Sequence, residues 1–283
     1  MTLRMLAKVL FPFALLLFVL AAAAAVRVKR VKSRGLLGYP YSRPPLSSAE
    51  YAALAAQPGW KQVEVPAAPQ STLLLRGLVR PPKTAGAPWV LFFQGNSKRL
   101  LAEGQEFLQV LAGQADVGLA LVSWRGFDGS PGDPGRDVLL ADANAAVHWL
   151  RANGAGGAPL HIIGFSLGTM PAVAAALDSQ LGPEAARSLT LLAPFTAMQM
   201  YEAGKLKRWT AAEDWDLLPL LALLKVPLLV VHGTADQTLP VAMGREIART
   251  AQGRLVEVPG AGHLDLMNDE RALSAVRAVV LSR

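Results

Sequence analysis

The sequence predicts a doubly wound α/β domain: a mostly parallel sheet of eight strands, helices on both faces and a short helical lid. From Trp60 onward, apolar runs alternate with helical patterns, as in a parallel sheet whose strands are connected by helices. Several of these runs, such as "WVLFF" and "VPLLVV", are apolar at nearly every position, which is typical of strands buried on both faces. One such run leads directly into the turn "GFSLG", where a serine stands between two glycines.

The elements follow from these periodicities. The predicted strands are 61–65, 72–79, 88–93, 117–123, 159–164, 188–193, 226–232 and 254–258. The predicted helices are 99–112, 137–152, 167–178, 241–251 and 269–281. Together they define a single domain over 60–283, with the lid in the stretch 196–225 between two strands.

Residues 1–34 are predicted to be an N-terminal membrane segment with a basic flank. The run from Val9 to Val26 carries no charge, and eighteen residues of helix nearly cross a hydrocarbon core of roughly 30 Å. A signal peptide cleaved in the alanine tract is the alternative. The length of the run and the basic stretch "RVKRVKSR" behind it favour an uncleaved single-pass anchor. The positive-inside rule favours a cytoplasmic position for the domain.

The charge distribution argues against nucleic acid as a partner. The chain has 28 basic and 21 acidic residues, and residues 1–34 hold seven of the basic ones and no acid. The net charge of +7 is therefore entirely N-terminal, and 35–283 is neutral, without a basic footprint for DNA or RNA. A basic cluster beside an apolar run favours anionic lipid headgroups instead. The chain has no cysteine, which excludes disulfides and a thiolate nucleophile.

A linker is predicted over 35–59. Its first part, "GYPYSRPP", is rich in proline and extended, and "SSAEYAALAAQPG" then predicts one short helix. Ser47 and Glu50 have the spacing of a capping box at the start of that helix, and Pro58-Gly59 ends it.

The serine in "GFSLG" is the candidate nucleophile. Ser166 follows a predicted strand and precedes a predicted helix, so the turn would present its side chain in a strained conformation at the strand end. Gly164 and Gly168 are small because bulkier residues there would collide with neighbouring chain. The alternative is an ordinary glycine-rich turn with a capping serine.

A serine nucleophile needs a base and an acid that orients the base. His263 follows the last predicted strand in a glycine-bearing loop, which is where doubly wound sheets place their sites, and it is the candidate base. Asp236 follows the strand "VPLLVV" by one short turn and is the candidate acid. The other three histidines are assigned structural roles: packing for His148, a strand start for His161 and loop support for His232.

The remaining aspartates have other predicted roles. Asp128 and Asp133 fall in a glycine-proline turn that favours aspartate, Asp214 and Asp216 lie in the lid, and Asp265 is expected to cap the final helix. The oxyanion needs two N–H donors. Leu167, directly after the nucleophile, supplies one, and Asn96, in the loop after "VLFF", supplies the other, because Gly95 lets the backbone come close.

These motifs give the chain a resemblance to the α/β-hydrolase superfamily, most of all to short-lid serine hydrolases with one N-terminal membrane segment. The matching pieces are "FFQGNS", "SWRGFDGSPG", "GFSLG", "LLAPFT", "VVHGTADQTLP" and "PGAGH", between about 60 and 283. Where that family usually has "HGN", this chain has Gln94-Gly95-Asn96, which leaves the backbone N–H in place but changes the side chain at 94. The resemblance implies the fold, the triad and acyl transfer.

The expected activity is hydrolysis of a carboxylic ester through an acyl-enzyme, on an apolar or lipid-like substrate. The predicted lid is rich in Trp, Leu and Met, although core packing of short helices explains such residues equally well. A peptidase or amidase, an acyltransferase and a non-catalytic binding protein of the same fold are the alternatives. No cofactor is expected, because the sequence has neither metal-spaced His/Asp clusters nor a phosphate-binding G-x-x-x-x-G-K.

Overall fold

The computed structural model describes residues 46–97, 99–178, 181, 186–197 and 215–281. The predicted membrane segment with its basic flank, the first part of the linker (35–45) and the middle of the predicted lid (198–214) lie outside these residues. Within the described ranges, no helix combines the length and the hydropathy that a membrane crossing requires.

One sheet of eight strands organises the domain. The strands are β1 (Lys61–Pro66), β2 (Leu74–Arg80), β3 (Trp89–Phe93), β4 (Gly118–Val122), β5 (Leu160–Phe165), β6 (Ser188–Leu192), β7 (Leu228–Gly233) and β8 (Arg254–Val258). Their order across the sheet is β1-β2-β4-β3-β5-β6-β7-β8. The pairs β1/β2 and β2/β4 are antiparallel, and all other pairs are parallel. The predicted α/β class and the mostly parallel sheet are confirmed.

Helices cover both faces of the sheet. The described helices are α1 (Ser48–Ala55), α2 (Leu100–Ala112), α3 (Arg136–Leu150), α4 (Thr169–Ala176), α5 (Leu218–Leu221), α6 (Val241–Thr250) and α7 (Glu270–Val280). Apolar residues of α3, α4, α5 and α6 pack in the core on one face. Those of α1, α2 and α7 pack in the core on the other face.

Strand β3 illustrates why the central strands are apolar at every position. Leu91 and Phe93 belong to the core on one face, whereas Val90 and Phe92 belong to the core on the opposite face. All four are fully buried. Because side chains alternate along a strand, a sheet covered on both faces leaves no position for a polar residue.

The described part of the predicted linker packs on the sheet. Helix α1 begins with the predicted capping box, in which Ser47 and Glu50 each bind the backbone N–H of the other. The Tyr51 hydroxyl donates to the carbonyl of Gly77 at 2.7 Å and accepts from the N–H of the same residue at 3.1 Å. Tyr51 is 7% exposed. Residues from Leu46 onward are thus fixed against β2.

Most element boundaries differ from the predicted ones by one or two residues, and two of the differences, both at helix ends, have an identifiable structural cause. The helix predicted over 137–152 ends at Leu150 and continues as one π-helical turn, Arg151–Ala155. The final helix is capped by Asp269, whose side chain accepts from the N–H of Arg271, so the expectation that Asp265 caps it is wrong. Both aspartates precede the same apolar pattern, and spacing alone does not choose between them.

The described end of the predicted lid contributes to the core. Trp215, Leu217 and Leu221 are at most 1% exposed, and Ala197 pairs with Asp216 in an isolated bridge. Core packing, the alternative explanation for the apolar residues of the predicted lid, therefore accounts for these three side chains.

Candidate active site

Ser166 lies at the end of β5, at the point where the strand turns into a helix. Its φ angle of 52° falls in the left-handed region, which is strained for a residue with a β-carbon. A 3₁₀ turn, Ser166–Gly168, follows at once and leads into α4. The turn is possible only because its flanking residues are glycines. A β-carbon on Gly168 would lie 2.0 Å from the Phe93 carbonyl oxygen, and one on Gly164 would lie 2.6 Å from the Gly168 carbonyl oxygen.

The sheet topology places this turn at a switch point. From the carboxyl end of β3 the chain leaves toward β4 on one side, and from the carboxyl end of the neighbouring β5 it leaves toward β6 on the other side. The two connections diverge, and a crevice forms between these strand ends. Ser166 follows β5, and the predicted oxyanion loop follows β3. A crevice at the carboxyl edge of a doubly wound sheet is the usual position of a ligand site.

The structure brings together the three residues predicted as nucleophile, base and acid. His263 Nε2 lies 3.0 Å from Ser166 Oγ, and His263 Nδ1 lies 2.7 Å from Asp236 Oδ2. These contacts assign the tautomer: Nδ1–H donates to the carboxylate, and Nε2 accepts from the serine hydroxyl. The His263 side chain is 12% exposed and that of Asp236 is fully buried. This geometry can remove a proton from Ser166 and stabilise the imidazolium that results.

Asp236 is held in its ionised form. Burial alone would raise the pKa of this carboxyl, but hydrogen bonds from His232, His263 and the Leu239 N–H outweigh it and lower the pKa below its usual range. Oδ1 accepts from the N–H groups of Thr238 and Leu239, both at 2.8 Å. At neutral pH the carboxylate is therefore ionised and can accept a hydrogen bond from the Nδ1–H of His263.

The loop that carries the acid is joined to the loop that carries the histidine. The Ala235 N–H donates to the Ala261 carbonyl at 3.0 Å, and a β-carbon on Gly233 would lie 2.2 Å from the same oxygen. The Gly262 N–H donates to Asp265 Oδ2 at 2.7 Å. The role of Asp265 is thus to fix the turn before His263.

The oxyanion side is formed by the loop after β3. A β-carbon on Gly95 would lie 3.0 Å from Ser166 Cβ, so this backbone runs directly beside the nucleophile. The buried Gln94 side chain accepts from the Gly95 N–H at 2.9 Å and occupies that donor. Asn96 is exposed, and its N–H has no hydrogen-bond partner among the described residues. Leu167 is the second residue of the 3₁₀ turn, so its N–H is not used within that turn.

Asp128 binds the backbone just after this loop, a role that its turn-like sequence did not indicate. Its Oδ2 accepts from the N–H of Leu101, the second residue of α2, at 2.7 Å. The residue is 4% exposed, and burial raises the pKa of its carboxyl to about 6, against the lowering effect of the Leu101 hydrogen bond. Asp128 thereby fixes the start of the helix that follows the oxyanion loop.

The other histidines have partners of their own. His148 Nε2 contacts Asp178 at 2.9 Å, and His161 Nδ1 contacts the Ser188 hydroxyl at 2.7 Å. Burial, with a contribution from Arg187, lowers the pKa of His161 to about 4. His232 contacts the carboxylate of Asp236, with Nε2 at 3.4 Å from Oδ2. Across the described ranges, no three His, Cys, Asp or Glu side chains are grouped as a metal site.

Comparisons with known proteins identify the family of this chain. The family profile described as alpha/beta hydrolase fold matches residues 88–215. An uncharacterized protein of Mycobacterium tuberculosis, Rv2307c, is 30% identical over 272 residues, which cover 91% of this chain and 90% of the relative. The chain belongs to the α/β-hydrolase superfamily.

A human protein and two solved structures are also similar. Human protein ABHD12B is 26% identical over 228 residues, covering 68% of this chain and 60% of that protein. Among solved structures, the Pyrococcus furiosus esterase Pf2001 superimposes with a TM-score of 0.65 at 16% identity, over 84% of this chain and 95% of the esterase. The esterase of Pyrobaculum calidifontis gives a TM-score of 0.58 at 17% identity, over 83% and 86%. At this identity the structural likeness concerns the fold.

Proposed function

We propose that this α/β hydrolase is a serine hydrolase that cleaves a carboxylic ester. The main support is the chain of hydrogen bonds that links the three side chains. Ser166 Oγ lies 3.0 Å from His263 Nε2, and His263 Nδ1 lies 2.7 Å from Asp236 Oδ2. The fold shared with solved structures named as esterases supports the same reaction class.

The reaction begins with attack of Ser166 Oγ on the acyl carbonyl carbon. His263 Nε2 takes the hydroxyl proton, and the carbonyl oxygen becomes an oxyanion that the N–H groups of Leu167 and Asn96 stabilise. Collapse of the tetrahedral intermediate breaks the ester C–O bond, and His263 returns the proton to the leaving alcohol. Water then attacks the acyl-enzyme with His263 as base again, which releases the acid and restores Ser166.

An apolar acyl group fits the surroundings of the base. Leu264, directly after His263, is 70% exposed, although leucine is usually buried. The Phe165 ring lies 5.1 Å from the His263 ring, between centroids. Leu264 thus provides an exposed apolar side chain one residue from the base, and the buried Phe165 packs close to the base within the protein.

The direct test is covalent labelling with a fluorophosphonate probe. The wild-type protein should be labelled once, at Ser166, and Ser166→Ala should abolish labelling and reduce kcat by on the order of 10⁴–10⁶. Ser71→Ala, in a surface turn, should be labelled like wild type. Persistent labelling of Ser166→Ala would identify a different nucleophile. An unlabelled wild-type protein would favour a non-catalytic binding protein.

Substrate class needs a separate measurement. A series of p-nitrophenyl esters of increasing acyl length, compared with the p-nitroanilides, should give ester cleavage with a preference for apolar chains. Preferred cleavage of the anilides would indicate a peptidase or amidase. Transfer of the acyl group to an added alcohol in preference to water would indicate an acyltransferase.

We further propose that residues 9–26 anchor the enzyme in a membrane. Eighteen apolar residues bury far more surface than one acyl chain, so full-length protein should stay in the membrane fraction through salt and carbonate washes. Protein without residues 1–34 should be released with its kcat unchanged.

Intact-mass analysis of the full-length protein distinguishes the anchor from a cleaved signal peptide, because a mature N-terminus between Ala22 and Arg27 would mean that the segment is removed. Protease access in spheroplasts tests the cytoplasmic position.

A further inference from the structure

His232, the next-to-last residue of β7, contacts Asp236 on a carboxylate that already binds His263. Its side chain and that of Asp236 are both fully buried. His232 Nε2 lies 2.8 Å from the Leu239 carbonyl oxygen and 3.4 Å from Asp236 Oδ2. Both neighbours are acceptors, so Nε2 carries a hydrogen. The main bond goes to Leu239, and a longer, weaker contact goes to the carboxylate.

The same three residues form a closed loop of contacts. Asp236 Oδ1 accepts from the Leu239 N–H, and the Leu239 carbonyl accepts from His232. The carboxylate is thus fixed on one oxygen by backbone and on the other by two imidazoles. A shift of His232 would release both the Leu239 carbonyl and the outer side of Oδ2.

The far side of the His232 ring rests on helix α6. Nδ1 is buried and has no hydrogen-bond partner among the described residues. A β-carbon on Gly244 would lie 2.5 Å from this nitrogen and 3.0 Å from the ring Cγ. Gly244 has no side chain at the place where the ring lies, so any larger residue there must push the ring toward Asp236.

We propose that His232 is a positioning residue for the catalytic acid and that Gly244 provides the space in which it does so. The path runs from Gly244 on α6 through the His232 ring to Asp236, and from there to His263 and Ser166. This inference rests on the proposed serine-hydrolase function, since it assigns a role within that triad.

A positioning role affects the transition state more than substrate binding. The imidazolium of His263 exists only after proton transfer, and a misplaced Asp236 stabilises it less well. Small displacements of a catalytic group can cost about a hundredfold in rate. We therefore expect His232→Leu to lower kcat about ten- to a hundredfold, with KM within about twofold of wild type.

The conservative variant separates the hydrogen bond from the volume of the ring. In His232→Gln, the side-chain amide can present an N–H near the position of Nε2. We expect kcat of His232→Gln to recover to within about fivefold of wild type, whereas His232→Leu stays low. A purely structural role predicts equal activity per folded molecule for the two variants.

Gly244→Ala tests the path without altering a polar group. Its control is Gly253→Ala, directly before β8, where the added β-carbon would lie 2.9 Å from Leu228 Cγ. Leu228 begins β7, at the opposite end of that strand from the triad. Both variants should lower the melting temperature. Only Gly244→Ala should lower kcat, by about tenfold.

The experiment measures kcat and KM for all four variants, with active sites counted by fluorophosphonate labelling. Wild-type labelling at Ser166 together with kcat of His232→Leu within twofold of wild type overturns this inference and leaves the proposed function standing. Equal kcat losses in Gly244→Ala and Gly253→Ala also overturn it. If His232→Leu fails to fold, the two glycine variants decide the matter. An unlabelled wild-type protein overturns the proposed function and this inference together.

Discussion

Two buried aspartates support the two loops on either side of Ser166, and their carboxyl groups are in opposite states. Asp236, within the loop after β7, accepts from two backbone N–H groups and contacts two imidazoles, and its pKa is lowered. Asp128, beside the loop after β3, accepts from the Leu101 N–H alone, and its Oδ1 is buried without a partner among the described residues. Its pKa is raised to about 6.

The comparison separates burial from hydrogen bonding. Both residues are at most 7% exposed, so desolvation acts on both and favours the neutral acid. The number of donors decides the outcome: several outweigh the desolvation at Asp236, and one does not at Asp128. The first carboxylate suits a catalytic acid that must stay ionised, whereas the second suits a structural contact to the start of α2.

The largest effect is expected when Asp236, the ionised member of this pair, loses its charge. Asp236→Asn retains the size of the side chain but presents an amide to His263 Nδ1, which favours the wrong imidazole tautomer. We expect kcat to fall on the order of 10⁴, as measured by steady-state ester hydrolysis. Asp128→Asn is the matched control and should retain far more activity. A loss below tenfold for Asp236→Asn would mean that another acid orients His263.

The second effect concerns stability and pH. The folded-state pKa of Asp128, about 6, exceeds the ordinary value of 3.8, so its ionisation costs the folded protein stability as pH rises from about 4 to 6. The full difference is about 3 kcal/mol at about 1.4 kcal/mol per pKa unit. Asp128→Asn removes this cost, so its free energy of unfolding relative to wild type should increase over that range, as measured by urea unfolding.

Asp236 should give the opposite sign in the same measurement. Its lowered pKa stabilises the folded protein above the ordinary pKa, and that stability is lost as pH falls. The free energy of unfolding of Asp236→Asn relative to wild type should therefore decrease as pH rises toward the ordinary value of 3.8 and stay nearly constant above it, whereas the Asp128→Asn difference develops between about 4 and 6. Curves of the same sign for the two variants would contradict the assigned states of the two carboxyl groups.

The smallest effect concerns the oxyanion loop that lies between Asp128 and Ser166. A β-carbon on Gly95 would lie 3.0 Å from Ser166 Cβ and 3.2 Å from the Phe165 carbonyl, so Gly95→Ala must move the loop by a few tenths of an ångström. We expect kcat to fall about tenfold with little change in melting temperature. Gly157→Ala, whose added β-carbon would meet open space, should match wild type in both measurements. Unchanged kcat in Gly95→Ala would place the oxyanion donors elsewhere.

The sheet was predictable because its signal is local and repeated. Each central strand is buried on both faces, so its apolar run is nearly as long as the strand itself: 88–93 is predicted where Trp89–Phe93 is found, and 188–193 is predicted where Ser188–Leu192 is found. The capping box at Ser47 and Glu50 was equally local. The identity of the residue that caps the last helix was not predictable, because Asp265 and Asp269 both precede the same apolar pattern.

The residues of the candidate site were predictable to the extent that they follow the ends of strands. Ser166, Asp236 and His263 each follow a strand, and parallel strands bring their carboxyl ends to one edge. The contacts of Gln94, Asp128 and Gly244 depend on packing between elements distant in sequence, which no periodicity encodes. Gly244 in particular resembles any other glycine in a helix until β7 is seen beneath it.

The left-handed backbone at Ser166 sets a limit on engineering this protein for heat resistance. Five described residues other than glycine have positive φ, and each holds strain that glycine would relieve by about 1 kcal/mol after its greater freedom in the unfolded chain is counted. At the exposed Gln70 and Gln252 that gain is available. At Ser166 the same replacement would remove the hydroxyl along with the strain, so this turn has to remain a weak point of the fold for as long as the protein is to act as a hydrolase.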